Sequence, residues 1–184
     1  MTLPRTCILL LTLFGTTSVL QYTKAAEPAQ APFPFMLKPN WLGPKYLEAE
    51  SWPELEALVD KLTTSRERNE EGEFELQVMA KAISDWIEHR NEEHDEVTRH
   101  KLENYVVQSP KSALAPILQA MQMHLAAWRA RGYGFSPTVT PEGWQLFREH
   151  NRQAWNVIEA AKSTSDRLPI WYVEAISIAT DAEV

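Results

Sequence analysis

The side chains of this sequence best suited to holding a metal are its five histidines, His89, His94, His100, His124 and His150. His89 and Glu93 stand four residues apart, as do Glu96 and His100, so on a helix each pair would share one face. Imidazole with carboxylate is a combination that zinc accepts. Neither pair has the spacing of the two-histidine, one-glutamate helix signature, and the run from Arg90 to Glu96 around them has the polarity of a solvated turn. No metal site is expected. The same run supplies Glu92, Glu93, Asp95 and Glu96 as paired carboxylates for acid–base work. Such a pair needs one member in an apolar pocket to raise its pKa, and a string of charges is the opposite setting. No serine lies in a glycine-flanked nucleophile elbow. The six glycines form no phosphate-cradling loop. No catalytic residue and no cofactor are expected.

The remaining cluster with chemistry to offer is Trp128, Arg129, Arg131, Tyr133 and Trp144. Two guanidinium groups beside aromatic faces are able to clamp a carboxylate or stack on a partner. The competing reading is structural: cations in the last turn of a helix oppose the negative end of its dipole, and the aromatics anchor the loop that follows. Either way the cluster speaks of binding, not turnover.

The elements that would position these residues are helices. Ser51-Trp52-Pro53-Glu54 reads as a capping box with proline in the first turn, and Leu55, Leu58, Val59 and Leu62 follow on one helical face. A second helix over about 73–90 carries Leu76, Met79, Ile83, Trp86 and Ile87. A third, over about 95–108, carries Val97, Leu102, Tyr105 and Val106 and stops at Ser109-Pro110. The fourth starts near Ala113–Ala115 and repeats Leu114, Ile117, Leu118, Met121, Leu125 and Trp128 until Gly132, a natural left-handed cap. Thr140-Pro141-Glu142 opens a fifth, with Trp144, Phe147, Asn151, Trp155 and Ile158 on one side. Pro169 opens a sixth, with Trp171, Tyr172, Ala175, Ile176 and Ile178. Strand-like alternation is absent. The expected fold is therefore all-α, with about six helices in stacked antiparallel hairpins or a bundle and no sheet. Seven tryptophans, spread along the chain, are expected to dominate the core.

Residues 1–25 read as a secretory signal: one cation at Arg5, an uncharged apolar run from Cys7 to Leu20, and Thr23-x-Ala25 as the cleavage site. The run is about 14 residues, shorter than the roughly 20 that span a bilayer, so no stable membrane insertion is expected after cleavage. Residues 26–50 read as an arm rich in proline and aromatics. Pro28, Pro32, Pro34, Pro39 and Pro44 are expected to keep it extended, and Phe33, Phe35, Met36, Trp41 and Tyr46 to pack on the bundle or dock a partner. Residues 51–184 form the helical domain. Cys7 is the sole cysteine, so the mature chain has none, as suits an oxidising compartment. Loss of Arg5 and Lys24 makes it two charges more negative than the formal -7 of the whole chain. That acidity argues against non-specific nucleic-acid binding and against docking on anionic lipid, while leaving room for a local basic patch.

Four segments together resemble a family: Asp85-Trp86-Ile87, Ser109-Pro110-Lys111-Ser112, the stretch from Ala127 to Gly134 (AWRARGYG), and the stretch from Thr138 to Phe147 (TVTPEGWQLF). Their order is similar to that of the bacterial domain-of-unknown-function family 4034, over roughly 52–180. The resemblance implies helical hairpins of the tetratricopeptide type and carries no activity with it. Family members continue with further helices beyond the segment matching Trp171-Tyr172, which implies a short member or one lacking carboxy-terminal helices. The expectation is an exported, periplasmic or secreted bacterial module that binds a protein or peptide. A periplasmic hydrolase with its site in a helical cleft is the alternative, and a fragment of a longer helical-repeat protein the third reading.

Overall fold

Every one of the 17 residues of the helix from Ala115 to Arg131 is buried or half-buried. In the computed structural model, which describes residues 39–89, 92–132 and 134–182, this helix is the post around which the others stand. The described elements are α1 (Pro39–Glu48), α2 (Trp52–Ser65), α3 (Glu75–Glu88), α4 (Glu92–Gln108), α5 (Ala115–Arg131), α6 (Pro141–Ala160), α7 (Lys162–Ser165) and α8 (Pro169–Ala182). A short 3-10 turn, Ser136–Thr138, lies between α5 and α6. The chain is all-helical. Among the described residues, pairing of the β type is confined to one isolated bridge, Arg68 with Phe74. None of the described helices is long and apolar enough to cross a membrane. The signal and residues 26–38 of the arm lie outside the described residues.

α5 carries apolar residues on every side, interspersed with Gln119, Gln122, His124, Arg129 and Arg131, and a helix of that kind is covered on every side. Its first turn is held by Ser112, whose Oγ accepts from the amides of Leu114 (3.1 Å) and Ala115 (2.9 Å). After Gly132 the chain doubles back. Thr140 caps α6 by accepting from the Gly143 amide at 3.0 Å, and Trp128 meets Phe147 edge-on at 5.1 Å. α8 then returns along α6, where the Trp171 indole N–H donates to the Ile158 carbonyl at 2.9 Å. On another side of α5, α4 buries Leu102 and Tyr105. The Tyr105 ring stacks on Trp52 of α2 at 4.6 Å, and its hydroxyl donates to the Glu56 carboxylate.

Several expectations need correction. Residues 39–48 are not extended: they form α1, packed across α3. Pro39 stands at the start of that helix, where a missing amide costs little. Pro44 does interrupt the ladder. Full burial of Leu47 and close approach at Gly43 offset the loss. A Cβ at Gly43 would lie 2.8 Å from Met79 Cγ and 3.1 Å from Ile83 Cδ1. Tyr46 packs on the core, whereas Trp41 is half-exposed. α1 ends in a Schellman motif, with Ser51 N–H on the Tyr46 carbonyl, Glu50 N–H on the Leu47 carbonyl and Glu50 at φ 53°. α4 docks against this non-glycine left-handed residue: Asn104 donates to the Glu50 carboxylate at 2.9 Å.

Ser51 therefore ends one helix with its backbone, and its side chain caps nothing. α4 begins at Glu92, a turn earlier than expected, since acidic residues suit a helix amino end. Of the tryptophans, only Trp52 and Trp171 are buried among the described residues. The core is chiefly leucine, isoleucine, methionine and alanine, and the other indoles ring it.

The tight α1–α3 crossing gives a direct test. Gly43→Val forces branched methyls against Met79 and Ile83, and overpacking of this kind costs about 1–3 kcal/mol. A fall in the urea midpoint of that size is expected; an unchanged midpoint would show that α1 does not pack on α3.

Candidate functional site

The structure brings three members of the sequence-derived cluster together and separates a fourth. Arg131 lies between two indoles, 5.1 Å from the Trp128 ring and 4.7 Å from the Trp144 ring. Its Nη1 donates to the carbonyls of Gly132 (3.0 Å) and Gly134 (3.4 Å). Arg129 turns the other way and donates to the carbonyls of Ile87 (3.1 Å) and Glu88 (3.0 Å), which are orphan acceptors at the carboxyl end of α3. Tyr133 lies outside the described residues. Both guanidinium groups thus tie backbone to backbone: Arg131 holds the α5–α6 turn and Arg129 clips α3 to α5.

The histidines are scattered. His89 closes the end of α3 through Asp85 O at 2.7 Å. His100 is exposed between Glu96 (3.1 Å) and Glu103 (3.2 Å). Arg99 joins that network, and its hydrogen bond holds the Glu96 carboxyl below the ordinary value. The side chains of Glu93 and His94 lie outside the described residues. Among the described residues no three histidine, cysteine, aspartate or glutamate side chains gather closely enough to hold a metal ion.

His124 is the exception in burial. Its Nε2 lies 2.7 Å from Asp181 Oδ2, and that oxygen also accepts from the Trp128 indole at 2.9 Å. This triad fastens the last turn of α8 to α5. The register that sets Phe147 against Trp128 brings Asn151 to the same level. Asn151 is wholly buried, and neither of its side-chain polar atoms has a hydrogen-bond partner among the described residues.

A concavity lies elsewhere, between α3 and α8, with the end of α2 and Met121 of α5 in its lining. It encloses about 730 Å³, within the range of ligand sites, roughly 300–1,000 Å³. α3 contributes two small side chains to its lining, Ala80 and Ser84, and α5 contributes Met121. Leu76, Ile170 and Val173 give it apolar walls. At its mouth stand Arg66, Lys81, Asp85 and Arg167. The rim is built stiffly. Arg66 ends α2 in the left-handed region at φ 52°. The return to α3 is stapled by Asn69, which accepts from the Glu73 amide at 2.8 Å, and by Arg68, whose guanidinium lies 3.8 Å from the Phe74 ring.

Glu174 enters this cleft from α8. Its carboxyl makes no hydrogen bond or ion pair with any described residue, and burial alone pushes it up to about 7. Glu174 is half-buried; a partly desolvated carboxyl without a partner lowers stability, which makes it a candidate ligand contact. Reading by motif passes over Glu174. The available signal is modest: it is the sole charge between Arg167 and Asp181.

The penalty is measurable. Glu174 has a folded-state pKa raised from the ordinary 4.5 to about 7, so its stabilising contribution is full below 4.5 and is lost as pH rises towards 7. Glu174→Gln should be more stable than the wild type at pH 8 by up to about 3 kcal/mol, and most of the difference should close by pH 5 and the rest below 4.5. Equal urea midpoint shifts at both pH values would contradict the burial. No protein-family model matches the chain, and no curated protein and no solved structure matches it, so the resemblance to family 4034 rests on the residues that carry it.

Proposed function

We propose that this chain is a non-catalytic binding module working outside the cytoplasm, in the periplasm of a bacterium or beyond it, and that it takes an apolar peptide segment of a partner in the cleft between α3 and α8. The observation that carries this reading is the open apolar cleft with an unpartnered carboxyl inside it. A site of this make-up, with apolar walls, charged groups at its mouth and a carboxyl within, orients and retains a ligand without changing it. Export is supported by the signal pattern of residues 1–25 and by the absence of cysteine after Cys7. Membership of family 4034 belongs to the same proposal. Its support is the AWRARGYG and TVTPEGWQLF segments, which flank the α5–α6 turn.

The hydrolase alternative has one observation on its side, the His124–Asp181 pair at 2.7 Å, since a carboxylate-oriented imidazole is half of a nucleophile-activating arrangement. No serine or threonine among the described residues hydrogen-bonds to His124, and neither member of the pair lines the cleft. Binding is the better reading.

The test is selection from a randomised dodecapeptide display library on the purified mature protein. Peptides with two or more large apolar residues are expected to be enriched. Ser84→Trp, which fills the cleft, and Val173→Ser, which strips a wall, should each weaken those peptides about tenfold, roughly 1.4 kcal/mol, while Arg131→Ala should leave them within about twofold. Absence of apolar enrichment, or enrichment indifferent to both cleft variants, would overturn the proposal.

A further inference from the structure

The chain as a whole is acidic, with 25 aspartates and glutamates against 18 lysines and arginines. The cleft mouth reverses that balance. Arg66 comes from the end of α2, Lys81 from α3 and Arg167 from the turn before α8, three cations against the two acidic lining residues Asp85 and Glu174. Their existing pairings are weak. Lys81 lies 3.6 Å from Asp85 and Arg167 lies 3.5 Å from Asp60, both in solvent, where ion pairs hold little and exchange readily. Arg66 makes no ion pair with a described residue. A cationic mouth on an acidic body steers ligands by sign.

We infer that the cleft selects among peptides by charge: it takes an apolar segment bearing an aspartate or glutamate, whose carboxylate meets Arg66 and Arg167 at the mouth while the Glu174 carboxyl hydrogen-bonds to the segment inside, and it refuses a basic one. This rests on reading the cleft as the peptide site and adds the chemistry of the peptide. The titratable groups that line the cleft with Glu174 are Arg66 from the end of α2, Lys81 and Asp85 from α3, and Arg167 before α8, with Asp60 paired to Arg167. α5 contributes only Met121. The cations stand in water at the mouth, too well screened to offset the desolvation of Glu174. A protonated Glu174 donates its O–H to a backbone carbonyl of the segment. A basic side chain would instead require Glu174 as a carboxylate and would bring its own charge past three cations. The two ligand classes therefore respond to pH in opposite directions. Binding of an acidic-apolar peptide weakens as pH rises through 7, because the protonated form is lost. Binding of a basic-apolar peptide would strengthen over the same range.

The experiment sequences the dodecapeptides enriched from the randomised library by the mature wild-type protein, by Arg66→Ala/Arg167→Ala and by Glu174→Gln, and follows one enriched peptide by fluorescence anisotropy at several pH values. The wild type should enrich aspartate and glutamate beside apolar residues and deplete lysine and arginine. The double variant should keep the apolar enrichment and lose the acidic bias. The affinity of the wild type for the chosen peptide should fall about tenfold from pH 6 to pH 8, following the protonated fraction of a group titrating near 7, and should be flat in Glu174→Gln. Apolar enrichment without acidic bias, or with basic bias, would overturn charge selection while leaving the peptide site standing. No apolar enrichment at all would remove the site itself.

Discussion

Everything in this fold follows from the need to cover α5. A helix with apolar residues on all faces has no side it can leave in water, so α3, α4, α6 and α8 must all reach it, and the order of the chain decides how. The short α5–α6 turn fixes an antiparallel pair, and the next turn returns α8 alongside. α3 and α4 close the remaining sides, with α1 and α2 as their outer support. The caps are built into the same contacts: Ser112 starts α5, and Arg129 ties the end of α3 to its last turn. Covering a post with straight helices leaves a gap wherever two of them diverge, and the gap between α3 and α8 is the cleft.

Much of this was legible in the amino-acid sequence because periodic apolar positions survive into the structure. Leu55, Val59 and Leu62, and likewise Met79, Ile83 and Ile87, are buried as their spacing predicts. Thr140 caps and Pro141 starts a helix as their types require. The failures have physical causes. α1 was hidden because proline counts against a helix locally, whereas Leu47 and Gly43 gain their stabilisation from α3, a tertiary term that no local rule contains. The apolar spacing of α5 marks a single face, because Ala115, Ala120 and Ala127 are too small to announce burial on the others. Tyr172 and Ile176 were assigned inward and stand half-exposed or more, since α8 is apolar beyond the face it buries.

The site was less legible than the fold. The cluster at the end of α5 was found as a cluster, but its hydrogen-bonding capacity goes to carbonyls that a sequence does not show to be nearby. Glu174 was missed because nothing adjacent to it in sequence makes it special. Its setting is assembled from α2, α3, α5 and α8, separated by up to about a hundred residues. A half-buried carboxyl without a partner, in a cleft lined by Ala80 and Ser84, is a departure from the local consistency of the rest of the chain. Such departures concentrate where a protein meets its ligand.

The most direct measurement is the titration of the Glu174 carboxyl by ¹³C NMR in the free mature protein, with Glu174→Gln identifying the resonance. A midpoint near 7 is predicted from its burial without a partner. A midpoint at the ordinary 4.5 would place the carboxyl in water and contradict the cleft on which the functional reading stands.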